Sequence, residues 1–106
     1  MPNFINVRRF DATELDTFEA LDDFREFIED LMDLLDTKQW ALSYAANGYI
    51  GISMFKGRTH LFTLNVKKGQ ITNKTNDVST GEMREIVRKY QPMLTKLIVH
   101  MRDFCN

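Results

Sequence analysis

Cysteine occurs once in 106 residues, as Cys105, so no intrachain disulfide can form. Such sparing use fits a reducing compartment. Two prolines and five glycines are too few for a low-complexity tail or a flexible linker. No stretch approaches the roughly 18 consecutive apolar residues of a membrane span. No apolar segment follows Arg8 and Arg9 as it would in a signal peptide. A surplus of charge is lacking as well, since 14 basic and 15 acidic side chains leave a net of −1. These absences exclude a disulfide-stapled scaffold, a helical membrane anchor and a disordered polyelectrolyte. The expectation is one cytoplasmic domain covering residues 1–106. A chain of this size buries roughly two thirds of its unfolded surface, enough for a core without staples.

The near-zero charge conceals a division. Residues 1–53 hold four basic side chains (Arg8, Arg9, Arg25, Lys38) against eleven acidic ones, a net of −7. Residues 54–106 hold ten basic and four acidic, a net of +6. Such asymmetry suits either a charged partner or neutralisation of one half by the other.

Local patterning predicts an α+β fold. Residues 4–10 alternate weakly, as an edge strand would. Asp11-Ala12-Thr13-Glu14 has capping-box form. Leu21, Phe24, Phe27, Ile28, Leu31, Leu34 and Leu35 then keep helical spacing, predicting a helix over about 12–35 with a break near Asp16-Thr17. From Trp40 to Lys74 the pattern turns to strands. Asn47-Gly48 between apolar runs signals a two-residue hairpin. Gly57 and Gly69 mark further turns, and residues 66–70 fit a three-residue loop with Gly69 left-handed. The product is a meander of three strands with a short fourth at 70–74. Ser79-Thr80-Gly81-Glu82 is a second capping box, and Met83, Ile86, Val87, Tyr90, Leu94, Leu97, Ile98, Met101 and Phe104 follow it at helical period. Pro92 removes a donor and crowds the carbonyl of Arg88, so two segments are expected, about 80–90 and 92–104. The architecture is therefore an antiparallel 3–4-stranded meander flanked by an acidic N-terminal helix and a kinked, basic C-terminal helix.

A two-residue turn at Asn47-Gly48 would pair Ala46 with Tyr49. Trp40, Leu42, Tyr44, Tyr49 and Phe55 would then share one face of the sheet, with Ala41, Ser43, Ala45, Ile50, Ile52 and Met54 on the other. Neither face would be polar, so the sheet would be covered on both sides, or by helices on one side and a second subunit on the other, and a homodimer is expected on the latter ground. A slip of one residue would flip every side chain. Whether Phe62, Leu64 and Val66 join the Trp40 face or the Ile50 face depends on a two- or three-residue loop at Lys56-Gly57.

The acidic helix is the most distinctive feature. Glu19, Asp22, Asp23, Glu26, Glu29, Asp30, Asp33 and Asp36 fall at three- and four-residue steps opposite the apolar stripe. Four like-charged i,i+4 pairs (19/23, 22/26, 26/30, 29/33) cost an isolated helix on the order of 1–2 kcal/mol. The row suits a solvated face, neutralisation by Arg84, Arg88 and Lys96, or recognition of a basic partner. No EF-hand spacing occurs and no histidine joins the row, so no metal is expected. Lys56, Arg58, Lys67, Lys68 and Lys74 gather at sheet turns, while Tyr44, Tyr49, Phe55 and Phe62 lie on strands. Aromatic rings beside a cationic rim suit single-stranded nucleic acid, although turn lysines also serve as edge protection. Catalytic signals are thin. His60 and His100 have no linking pattern, Ser43, Ser53 and Ser79 lack a nucleophile-elbow context, Cys105 lies next to the terminus, and no glycine loop cradles phosphate. Met32, Met54, Met83, Met93 and Met101 read as gap-filling core.

The expected function is accordingly non-enzymatic, with no catalytic residue, cofactor or metal. The leading expectation is a small inhibitor of the antitoxin, immunity or phage anti-defence type. It would present Glu19, Asp22, Asp23, Glu26, Glu29, Asp30 and Asp33 to a basic protein such as a nuclease. The alternatives are a single-stranded nucleic-acid binder using Lys56, Arg58, Lys67, Lys68 and Lys74, and an oligomeric structural or regulatory subunit.

Overall fold

The computed structural model describes residues 7–72, 74–75 and 78–105. The expectations for residues 4–6 and 73, and for the side chains of Phe104 and Cys105, lie outside the described set. The fold is α+β. Five antiparallel strands, β1 (Val7–Asp11), β2 (Gln39–Ala45), β3 (Ile50–Lys56), β4 (Thr59–Asn65) and β5 (Gln70–Thr72), lie in the order β1-β2-β3-β4-β5. The edge strand β1 thus joins the meander, giving five strands where three or four were expected. A 3-10 segment (Ala12–Phe18) and helix α1 (Phe24–Leu35) connect β1 to β2. Helices α2 (Thr80–Lys89) and α3 (Gln91–Cys105) follow β5.

The N-terminal helix breaks later than expected, across residues 19–23. Asp11 starts the 3-10 segment by accepting a bond from Thr13 N, 2.9 Å. Phe18 and Phe24 are both buried and their rings stack with centroids 4.4 Å apart. At 100° per residue, six residues of straight α-helix would place those rings about 240° apart. The break lets both enter one core, where Phe18 also meets Phe10 and Phe24 meets Trp40. Asp23 turns the chain into α1 with φ +72°, and Asp36 ends it with φ +52°. Only the pairs 26/30 and 29/33 therefore lie within α1, which halves the expected like-charge penalty.

The hairpin register also differs from the two-residue expectation. Ala45 N bonds Tyr49 O at 2.9 Å and Gly48 N bonds Ala45 O at 2.8 Å, with Gly48 at φ +92°. The loop holds three residues, Ala46-Asn47-Gly48, with glycine supplying the left-handed position. Trp40 now faces Met54, and Leu42 faces Ile52. That single-residue shift brings Trp40, Leu42, Tyr44, Ile50, Ile52 and Met54 onto one face. Ala41, Ser43, Ala45, Gly51, Ser53 and Phe55 take the other. The loop after Lys56 has two residues, since Lys56 faces Thr59, but a register shift at Met54/Phe55 pairs Met54 with Phe62 and Ile52 with Leu64. Phe62 and Leu64 therefore join the apolar face, and Leu61 occupies the bulge. Asn65 faces Gln70, so the loop between them holds four residues, with Gly69 left-handed at φ +66°.

One face is thus apolar throughout and the other mainly small or polar with the Phe55 ring among its side chains, correcting the expectation of two apolar faces. The argument for a homodimer that rested on it falls away. The apolar face builds the core with Phe24, Phe27, Ile28 and Leu31 of α1, Met83 of α2, and Met93, Leu94, Leu97 and Met101 of α3. No polar or charged residue is buried among the described residues. Met54, Met83, Met93 and Met101 fill core positions as expected, with Met32 packed at its margin. Ser79 caps α2, accepting from Glu82 N at 3.4 Å. The break falls at Tyr90, and α3 begins at Gln91, one residue ahead of the helical start that Pro92 suggested. Among the described residues no helix is long and apolar enough to cross a membrane.

Candidate functional site

Two surfaces on opposite sides of the sheet carry the candidate residues. The first is the outer side of α1 and the turn before it. Burying Phe27, Ile28 and Leu31 forces the alternate positions outward, and Asp22, Asp23, Glu26, Glu29 and Asp33 are exposed. None of these five has an ion-pair partner among the described residues. The other two expected contact residues are engaged within the fold. Glu19 pairs with Arg25, and this bond holds the guanidinium above its usual pKa. Asp30 is half-buried and accepts a 2.6 Å hydrogen bond from Tyr90 Oη, with Lys89 Nζ 3.6 Å from the same carboxylate oxygen. Burial first, and then the Asp30 carboxylate, push the Tyr90 phenol well above its ordinary value. Tyr90 also meets Phe27 edge-on at 5.4 Å, so this cluster clamps α1 to the junction of α2 and α3.

The chain's own cations scarcely reach the ridge. Of Arg84, Arg88 and Lys96, Arg88 pairs with Glu85 of its own helix at 2.7 Å, and neither of the others has an ion-pair partner among the described residues. Lys56 reaches Asp36, beyond the ridge, at 3.4 Å. Among the described residues no three acidic, histidine or cysteine side chains form a group that could hold a metal ion.

The second surface is the open face of the sheet. Of the four aromatics expected on strands, Tyr44 and Phe62 are buried in the core, while Tyr49, just before β3, and Phe55 lie on this side. Arg9 reaches across β2 to place its guanidinium 5.5 Å from the Phe55 ring centroid. His60 meets Phe55 edge-on at 5.4 Å. His60 Nε2 and Thr63 Oγ1 are 2.8 Å apart, and Thr63 Oγ1 lies 2.9 Å from Ser53 Oγ. The expected cationic rim is divided. Lys56, Arg58, Lys67 and Lys68 are exposed, but Lys74 is half-buried and donates to the carbonyls of Thr75 and Val78, both at 3.1 Å. Lys74 therefore organises its own loop. The spacing of Arg9, His60, Ser53 and Thr63 gives no sign that they converge, because only the strand register brings them together. The Tyr90–Asp30 bond spans 60 positions and has no local signature either.

His100 lies half-buried with its ring centroid 6.0 Å from that of Phe18. Comparison with family models, curated proteins and solved structures finds no match to this chain.

Proposed function

We propose that this protein is a non-enzymatic binding protein that presents the acidic ridge before and along α1 to a basic macromolecular surface. One observation carries the reading: Asp22, Asp23, Glu26, Glu29 and Asp33 are exposed and have no ion-pair partner among the described residues. A folded domain gains little from holding five unpaired carboxylates side by side, since like charges at helical spacing repel. Opposite them, a cationic partner surface would gain attraction and a faster, salt-sensitive encounter. An inhibitor of a nucleic-acid-binding protein or nuclease fits this chemistry, because the ridge offers negative charge to a site built for phosphate.

The test follows from the positions that are free to act. Asp22→Lys, Glu26→Lys, Glu29→Lys and Asp33→Lys are combined, leaving the Asp30–Tyr90 bond intact. Immobilised native chain should retain a basic protein from extracts of the source cells, and raised salt should release it. The fourfold variant, folded by circular dichroism, should retain none of it. Equal retention by both chains would refute the reading.

A further inference from the structure

The open face of the sheet carries two flat platforms flanked by cations. At the first, the Arg9 guanidinium lies over the Phe55 ring and His60 abuts its edge. A cleft of about 410 Å³ opens beside them, lined by Arg9, Asp11, Lys38, Gln39 and Phe55. Asp11 is the one acid among these five lining residues, and its carboxylate already accepts bonds from Thr13 N and Thr13 Oγ1. Gln39 Oε1 accepts from Gly57 N at 2.6 Å, which places the turn bearing Arg58 at the rim of this cleft.

At the second platform the Tyr49 ring lies across Gly51. A Cβ at Gly51 would overlap Tyr49 Oη, Cζ and Cε2, the two carbons lying only 2.8 and 2.9 Å from it. The missing side chain lets the ring lie down on the sheet, while 37% of the residue remains exposed. Lys67 Nζ comes within 3.1 Å of where a Cβ on neighbouring Gly48 would sit. Gly51 and Phe55 are four residues apart on β3, about 13 Å at the rise of a strand.

We propose that this face binds single-stranded nucleic acid. Unpaired bases stack on the Tyr49 ring and on the Arg9–Phe55 pair, and phosphates are held by Lys38, Arg58 and Lys67. Stacking on aromatic and guanidinium planes needs bases freed from a duplex, and a sheet with cations at both ends tracks an extended backbone. Charge complementarity also favours a polyanion. The face lies across the sheet from the acidic ridge, so this proposal is independent of the proposed function and each can fail alone.

Fluorescence anisotropy of a labelled oligothymidylate of about 15 nucleotides tests it. Binding should be saturable and should weaken steeply between about 50 and 200 mM salt. Tyr49→Leu and Phe55→Leu should each weaken it by about five- to a hundredfold. Lys67→Ala should lower the salt slope by about one. Both leucine variants should keep the circular dichroism of the native chain. Should Phe55→Leu lose its fold, Tyr49→Leu at the rim and Arg9→Gln carry the test. No saturable binding at the lowest salt would overturn the proposal. So would unchanged affinity in folded Tyr49→Leu and Arg9→Gln variants, since attraction would then be electrostatic alone. Duplex DNA bound as tightly as the single strand would overturn it too.

Discussion

On the helix-covered face of the sheet, Leu42, Ile50, Ile52, Met54 and Leu64 are fully buried. One residue away along the same strands, Ser43, Ser53 and Thr63 are only half-buried, and the last two bond to each other across β3 and β4. Both faces share every backbone hydrogen bond of the sheet, so the ladder cannot account for the contrast. What separates them is the cover. α1, α2 and α3 supply apolar side chains to one face, and the other is built mainly from small or polar side chains, with Ala41 and Ala45 buried and Phe55 half-buried among them. The large aliphatic side chains of the central strands are therefore buried on one face.

Paired substitutions on neighbouring residues put that contrast at risk. Ile52→Ala should destabilise the fold by about 2–5 kcal/mol, because it removes buried apolar atoms and leaves a cavity. Ser53→Ala, the next residue, should cost no more than about 1 kcal/mol, the net worth of one hydrogen bond. Urea denaturation measures both, and equal losses would show that the open face is covered after all.

A smaller effect is expected where the helix layer is clamped. Tyr90→Phe removes the bond to Asp30 and should cost about 1.5–3 kcal/mol, the range for hydrogen bonds to charged groups. The pH dependence has a definite sign. The folded state raises the Tyr90 pKa above its unfolded value of 10.0. Its contribution is therefore complete below about pH 10 and declines as pH rises further, because the unfolded chain loses the phenolic proton first. Denaturation curves of native protein between pH 9 and 11 should show this decline, and Tyr90→Phe should flatten it.

The smallest predicted effect lies at the end of α1. Asp36 holds φ +52° and is almost fully exposed, with Lys56 as its surface partner among the described residues. Asp36→Gly relieves a left-handed conformation that L-residues adopt at a cost, and the lost surface pair is worth little. A gain of about 0.5 kcal/mol, read as a rise of roughly 2–4 °C in melting temperature, is expected.

Much of this arrangement was legible in the chain. Leu21, Phe24, Phe27, Ile28 and Leu31 marked the buried side of α1 by spacing, and that spacing fixed the acids on the outer side. Ser79 announced the start of α2. The difference in sheet faces has one physical origin. Asn47-Gly48 fits both a two-residue turn and the end of a three-residue turn, and the choice moves every side chain of β2 relative to β3. Local residues set the turn propensity, but the register was decided by whether Trp40 and Met54 could be buried together. Likewise, nothing near Asp30 or Glu29 distinguishes them, yet Tyr90 engages one and leaves the other exposed.

The sequence by itself determined the acidic row, the helical stripes, the capping residues and the left-handed glycines. Those properties depend on residues within a few positions of one another. Tertiary structure alone decided which sheet face is open, that Arg9, Phe55 and His60 meet upon it, and which carboxylates the fold engages. These choices depend on strand register and helix docking, where apolar burial summed over many distant residues outweighs any local preference.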